Sequence, residues 1–156
     1  MDMHAGFTIS PATPADADMI APLFDDYRQF YKQPSDLAKA RAFIRERLRS
    51  GESNILLARE VSPQRGAVGF TQLYPLFSST QMRRAWLLND LFVVPAWRRR
   101  GVGRALLLAA REFAVSSNAA EMFLETAADN HIAQAAYEQL GWEKESVFLK
   151  YNLPLP

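Results

Sequence analysis

The sequence has no cysteine, which excludes a disulfide framework, a thiolate metal site and a cysteine nucleophile together. Imidazole is nearly as scarce: only His4 and His131 could supply it, so a Ser/His/Asp triad has little to draw on and no metal site is expected. A surplus of either charge is missing too. Lys+Arg number 18 against 17 Asp+Glu, a formal net charge of +1, so no global field draws the chain to nucleic acid or to an anionic membrane, and any anion site has to be local. No stretch approaches the roughly 18 apolar residues of a membrane span, and the opening residues MDMHAGFTIS carry acid without an apolar leader core. A soluble cytoplasmic protein is the expectation. What is present is an ordinary globular composition, with 49% hydrophobic, 12% aromatic and 22% charged residues. The 156 residues suffice for a single domain, 1–156, around one core.

The chain then reads as alternating elements. Residues 7–10 suggest a short strand ended by Pro11, and Thr13-Pro14-Ala15-Asp16 is a helix start with a hydroxyl cap, proline at the first turn and an acid that suits the dipole. Ile20, Phe24, Tyr27 and Tyr31 carry that helix to about Lys32. Ser35 is the expected cap of a second helix, whose apolar positions Leu37, Ala40, Ile44 and Leu48 run until Gly51. Residues 54–61 and 67–76 read as a hairpin around Ser62-Pro63-Gln64-Arg65-Gly66. WLLNDLFVV, residues 86–94, is a central strand interrupted by Asn89 and Asp90 and ended by Pro95. A helix over 102–115, a strand over 122–126, a short helix over 132–140 and a last strand over 147–153 complete the order β α α β β β α β α β, a mixed α/β or α+β domain.

Between the central strand and the following helix stands RRRGVGRALL, residues 98–107. Strand, glycine loop, helix is a recipe for binding phosphate: backbone N–H groups at the helix start converge on an anion, glycine admits the ligand, and the dipole favours negative charge. A dinucleotide fingerprint would need a third glycine where Leu106 stands, and the Walker pattern is absent. A lone G-x-G is commonly only a turn. Arginines set directly against the glycines, after a buried strand and before an amphipathic helix, favour a pyrophosphate site.

At these residues the chain resembles the GNAT superfamily of N-acetyltransferases. LNDLFVVPAWRRRGVGRALL is similar to the family's central strand and acetyl-CoA loop, with R/Q-x-x-G-x-G/A falling on Arg98, Gly101 and Gly103. NHIAQAAYEQLGW is similar to its later N-x-x-A-x-x-x-Y-x-x-x-G-[FW] pattern, with Asn130, Ala133, Tyr137, Gly141 and Trp142 in register. Arg99 departs from the pattern, since many members carry glycine there. The resemblance implies a twisted mixed sheet of about six to seven strands flanked by four helices. It also implies acetyl transfer from acetyl-CoA to a primary amine, of a polyamine or lysine type, by direct attack in a ternary complex.

Carried over residue by residue, the resemblance puts the pantetheine arm along the backbone of Leu91, Phe92, Val93 and Val94. The diphosphate falls at Arg98, Arg99, Arg100, Gly101, Val102, Gly103 and Arg104, with Asn130 and Tyr137 also at the cofactor. A backbone N–H near Leu91 becomes the oxyanion donor, and Tyr137 the general acid. An acceptor amine with a pKa near 10 also needs a base. Asp90, a carboxylate inside an apolar strand, is the leading candidate and Glu125 the runner-up, and either could instead pair with Arg83 or Arg84. Acceptor contacts are expected from Tyr27, Tyr31 and Asp90, with Asp25 and Asp26 adding acid for a cationic amine.

Two rivals stand beside the enzyme reading. One is a non-catalytic acyl-CoA-binding sensor or scaffold, which needs the glycine loop but not Tyr137. The other is a nucleic-acid binder using Arg41, Arg45, Arg47, Arg49 and the triple arginine, although the aromatics are not interleaved with these arginines as a stacking platform would require. The apolar last strand is a candidate interface for a homodimer.

Overall fold

Period-two apolar segments need partners for their backbone groups, and the chain supplies them in one sheet. The computed structural model describes residues 2–4 and 6–156, with side chains from Gly6 onward. Six strands lie in sequence order: β1 (Asp2–His4), β2 (Phe7–Pro11), β3 (Asn54–Glu60), β4 (Ala67–Ser78), β5 (Arg83–Val93) and β6 (Glu121–Phe123). Successive strands pair antiparallel up to β5, and β6 runs parallel to β5. Helices α1 (Ala17–Phe30) and α2 (Leu37–Arg49) connect β2 to β3, α3 (Val102–Ser116) connects β5 to β6, and α4 (His131–Gln139) follows. This is the GNAT-like mixed sheet with four helices.

The chain divides into two compact units, Met1–Glu125 and Thr126–Pro156. In the first, Thr13 opens a 3-10 turn over Pro14–Asp16, and the Asp16 carboxylate accepts from the Thr13 N–H at 2.7 Å and from its hydroxyl at 3.0 Å. The start of α2 differs from expectation. Asp36 is the cap, its Oδ1 accepting from the Lys39 N–H at 3.0 Å, while the Ser35 hydroxyl donates to Asp25 at 2.6 Å. Ser35 is diverted because Asp25, buried under the α1–α2 turn, needs donors.

Alternation assigns the two faces of the sheet. Phe70 and Phe92 are paired across β4 and β5, and both pack with Ile20, Phe24, Ile44 and Leu57 under α1 and α2. Gly69 lies on the opposite face, against α3. A Cβ on Gly69 would stand 2.9 Å from the Phe92 carbonyl oxygen and 3.2 Å from Val102 Cγ1, so only glycine admits this approach of strand and helix. Between these pairs the register shifts: Gln72 faces Asp90 but Leu73 faces Leu88, which makes Asn89 the extra residue of a β-bulge. Consecutive residues point to opposite faces. The bulge therefore leaves Leu88 with Leu73 on the α3 face and carries Asp90 to the α1/α2 face with Gln72 and Phe92.

The second unit holds α4. Its Asn130 side-chain oxygen caps the helix, accepting from the Ala133 N–H at 3.2 Å, and its end closes with the Trp142 N–H donating to the Tyr137 carbonyl at 3.1 Å. The strand expected over 147–153 is not formed: no helix or strand follows α4, and Val147, Phe148, Leu149 and Tyr151 are exposed. An apolar segment becomes a strand only where a neighbour satisfies its backbone, and the sheet of described residues ends at β6.

Gly69→Ala is expected to cost about 1–3 kcal/mol through overpacking against backbone. Thermal melts should show a fall of several degrees; an unchanged melting temperature would contradict the close approach of β4 and α3 at this point.

Candidate active site

The bulge is where the chemistry collects. Asp90 is 3% exposed, a carboxyl inside a sheet. Its Oδ2 accepts from Gln72 Nε2 at 2.7 Å and its Oδ1 from Asn89 Nδ2 at 3.1 Å, and the Tyr27 hydroxyl also hydrogen-bonds to it. Its main-chain carbonyl accepts from the buried Thr71 hydroxyl at 2.9 Å. The side-chain donors are neutral groups. Burial outweighs them and pushes the carboxyl above the usual carboxylate range. The arginines weighed as partners lie elsewhere: Arg83 donates to the Asn118 and Ala119 carbonyls, and Arg84 stacks over Phe77 and Trp86.

Aromatic rings surround this carboxyl. Tyr27 is half-buried and packs against Phe70 and Phe92 at centroid distances of 6.2 and 6.5 Å, and its hydroxyl lies 3.4 Å from the Asn89 carbonyl oxygen. Tyr31, 55% exposed, meets the Tyr27 ring edge-on at 5.0 Å. Desolvation and the nearby carboxylate raise the Tyr27 phenol, and the same causes push Tyr74 up to about 12. Tyr27, Tyr31 and Asp90, drawn from distant stretches of sequence, thus stand together. Asp25 does not join them. Ser35 and the Asp36 N–H bind it at 2.6 and 2.9 Å, with Arg28 at 3.2 Å, and hold it below the usual carboxylate range. Asp25 anchors the α1–α2 turn and cannot serve a cationic ligand; Asp26 is exposed.

Next to the bulge β5 has an open edge. Strand β6 pairs with it only over Ala85, Trp86 and Leu87. The Val94 N–H donates to the Val68 carbonyl at 3.0 Å, so by the two-residue alternation of an antiparallel ladder Phe92 also addresses β4, while Leu91 and Val93 turn their backbone groups to the open side. Arg98 confirms that direction: its Nε donates to the Val93 carbonyl at 2.9 Å, and its guanidinium lies over the Phe92 ring at 5.7 Å. Arg98 thereby closes the strand end.

The glycine loop follows at once. Arg99 and Gly101 have φ of 59° and 83°, and the first helical hydrogen bond of α3 runs from the Ala105 N–H to the Gly101 carbonyl at 2.9 Å. The N–H groups of Val102, Gly103 and Arg104 precede that ladder and mark its positive end. A Cβ at Gly101 would meet nothing within 4 Å, and one at Gly103 only Val93 Cγ2 at 3.8 Å, so the backbone is open to an anion. Arg99, Arg100 and Arg104 are exposed around it, Arg100 resting over the Trp97 ring at 5.1 Å. This donor set fits a diphosphate.

Glu125 is exposed beyond the end of β6. Asn130 and Tyr137 belong to the second unit, where the half-buried Tyr137 ring lies 6.1 Å from that of Trp142. Among the arginines weighed for nucleic acid, Arg41 and Arg45 pair with Asp18 at 3.0 and 2.9 Å, and Arg47 pairs with Glu46 and Glu52. Gln72 and Tyr74 were missed by sequence reasoning. The signal was there: Thr71 and Gln72 interrupt an apolar strand just as Asn89 and Asp90 interrupt the next.

Residues 19–142 match the family model of the Acetyltransferase (GNAT) family. The uncharacterized N-acetyltransferase YhfO of Bacillus subtilis (strain 168) is 47% identical over 95% of this chain and 97% of its own length. A crystal structure of a probable acetyltransferase superposes with a TM-score of 0.90 at 40% identity, covering 96% of this chain and 98% of that one. The aminoglycoside N-acetyltransferase AAC(6')-Iy in complex with CoA has the same fold, with a TM-score of 0.76 at 20% identity over 99% of both chains. The chain belongs to the GNAT family of acetyltransferases.

Proposed function

We propose that this acetyltransferase moves an acetyl group from acetyl-CoA to a primary amine by direct attack in a ternary complex. The observation that carries the reading is Asp90: a buried carboxyl with neutral partners, set beside an open strand edge and a glycine-lined helix start. Acetyl-CoA supplies a thioester, whose C–S bond breaks as the C–N bond forms.

The chain's own residues supply the rest. The N–H groups of Val102, Gly103 and Arg104, with Arg99, Arg100 and Arg104 nearby, hold the diphosphate. Leu91 and Val93 offer backbone to the pantetheine arm as an added strand would. The Leu91 N–H is the donor for the developing oxyanion, a contribution whose loss elsewhere costs about 3 kcal/mol. Asp90 takes the amine proton, because a carboxyl raised by burial is a better base than an exposed one at neutral pH; Glu125 is the alternative. Tyr137 is assigned to give its phenol proton to the departing thiolate, and Asn130 to contact the cofactor arm.

On the acceptor side, Tyr27 and Tyr31 beside Asp90 suit a cation by ring face and charge. A polyamine or lysine-type amine meets this description. So does an aminoglycoside, and a Salmonella typhimurium relative named Aminoglycoside N(6')-acetyltransferase type 1 is 31% identical over 42% of this chain. The exposed apolar residues Val147, Phe148, Leu149 and Tyr151 support a homodimer. A cytoplasmic location agrees with a donor that is a cytoplasmic metabolite.

Acetyl-CoA at a hundredfold excess over its Kd should stabilise the fold by about 2.7 kcal/mol and raise the melting temperature, whereas NAD and ATP should not. Thiol release with a panel of polyamines, lysine peptides, amino acids and aminoglycosides tests catalysis and acceptor together. Binding without release for any amine would favour the sensor or scaffold reading.

Tyr137→Phe should lower kcat by about a hundredfold while sparing acetyl-CoA binding, within the range of general acid catalysis. Unchanged turnover would remove Tyr137 from the mechanism.

Asp90 also predicts a stability profile. Burial holds its folded pKa above the ordinary carboxylate value, so as pH rises past that ordinary value the unfolded chain releases this proton first and folding stability falls until the folded group has ionised too. Asp90→Asn lacks that loss. Its melting temperature relative to the parent should climb between pH 4 and 7 while its turnover drops; a difference independent of pH would contradict the raised carboxyl.

A further inference from the structure

Resting on the acetyl-transfer reading, we propose that Gln72 is a positioning residue for the acceptor amine: its side-chain amide bridges Asp90 and Tyr74, holding the carboxylate as proton acceptor and turning the Tyr74 hydroxyl hydrogen toward the acceptor.

The geometry is that of one nitrogen serving two oxygens. Gln72 is fully buried, and its Nε2 donates to Asp90 Oδ2 at 2.7 Å and to Tyr74 Oη at 3.0 Å. An amide nitrogen carries two hydrogens and has no lone pair to accept with. Both hydrogens are therefore committed, and each partner must present a lone pair. For Asp90 this favours the ionised form at Oδ2, since a proton there would meet N–H. For Tyr74 it means that the phenol oxygen is occupied as an acceptor and its own hydrogen is left to donate. Register makes the bridge possible: Gln72 and Asp90 are direct cross-strand partners at the bulge, and Tyr74 follows two residues on along β4.

The neighbouring elements give this carboxylate no positive partner. The groups acting on Asp90 are Gln72 from β4, Asn89 from its own strand and Tyr27 from α1. Tyr31 from α1 acts on Tyr27, and Arg47 from α2 acts on Tyr74 rather than on Asp90. Gln72 Oε1 is a buried oxygen with no hydrogen-bond donor among the described residues, and a buried acceptor so left is destabilising. A primary amine answers these conditions, bringing a positive charge for Asp90 and N–H groups for Oε1. The site is thereby selective for an unhindered primary amine over a tertiary amine or an alcohol, which bring fewer hydrogens.

The test compares wild type, Gln72→Leu and Gln72→Glu. The first readout needs no turnover: the Asp90 carboxyl carbon is titrated by NMR in the acetyl-CoA-free protein. Gln72→Leu removes a donor to the charged form, so the Asp90 midpoint should rise by about one pH unit. Gln72→Glu keeps the volume and sets two carboxyls face to face, so the pair should titrate in two widely separated steps. It serves equally should Gln72→Leu fail to fold.

The second readout is the pH profile of kcat/KM for an amine that the wild type acetylates. Its acid limb should move up with the Asp90 midpoint, with kcat/KM for the amine down about tenfold at neutral pH and the KM for acetyl-CoA within about twofold. A purely structural glutamine would lower the melting temperature and leave both the midpoint and the limb in place, and that result would overturn the assignment. The two readings fail separately. A wild type that acetylates no amine refutes the proposed reaction, while an unmoved Asp90 midpoint refutes the role of Gln72 whether or not the enzyme turns over.

Discussion

One extra residue in a strand organises the first unit. With Asn89 bulged out of β5, the pairs Leu73–Leu88 and Gln72–Asp90 fall on opposite faces of the sheet. Were Asn89 paired regularly with Gln72 instead, Asp90 would fall opposite Thr71 on the α3 face, away from Tyr27 and from the Gln72 amide. The bond from Gln72 Nε2 to Asp90 Oδ2, at 2.7 Å, and the bond from the Thr71 hydroxyl to the Asp90 carbonyl, at 2.9 Å, fasten the carboxyl where the bulge delivers it. β6 leaves β5 after Leu87, just before the bulge. One irregularity in the ladder thus sets a buried carboxyl beside an open strand edge.

The two buried acids on the α1 side show what the bulge accomplishes. Asp25 has Ser35, a backbone N–H and Arg28, and these donors hold its carboxyl low. It is an anion stabilised by the fold, tying α1 to the turn before α2. Asp90 has neutral donors and a covering of aromatic rings, and its carboxyl is raised. The first arrangement contributes stability; the second surrenders some of it by burying a carboxyl among neutral donors. Both are aspartates in apolar segments, and their donors separate a carboxyl held low from one pushed up.

Legibility in the sequence followed the range of the interactions. Local signals sufficed for the helices and for most strands: Thr13-Pro14 marks a helix entry, and the apolar period of Val102, Ala105, Leu106 and Ala110 marks α3 and its buried face. The glycine loop was legible because its chemistry lies in consecutive residues. Tyr27, Tyr31 and Asp90 were named from chemistry, and their proximity came from the resemblance to a family rather than from any pattern in the chain. Gln72 and Tyr74 were not found, because their meaning depends on cross-strand register, which a single bulge resets. Asp25 was misjudged for a related reason: Ser35 and Asp36 reach it across a turn, where no periodicity points. The strand expected over 147–153 had the right composition, yet strand propensity expresses a fit to neighbours and is no property of a segment alone.

In the proposed reaction the acceptor nitrogen meets Asp90 at the bulge. A crystal structure with an inert bisubstrate analogue, in which an amine is joined to coenzyme A, observes that contact directly. The predicted result is a nitrogen about 2.6–3.2 Å from the Asp90 carboxylate, or joined to it by one water, with the diphosphate on the N–H groups of Val102, Gly103 and Arg104. A nitrogen lying against Glu125, with Asp90 still sealed beneath Tyr27, would contradict it.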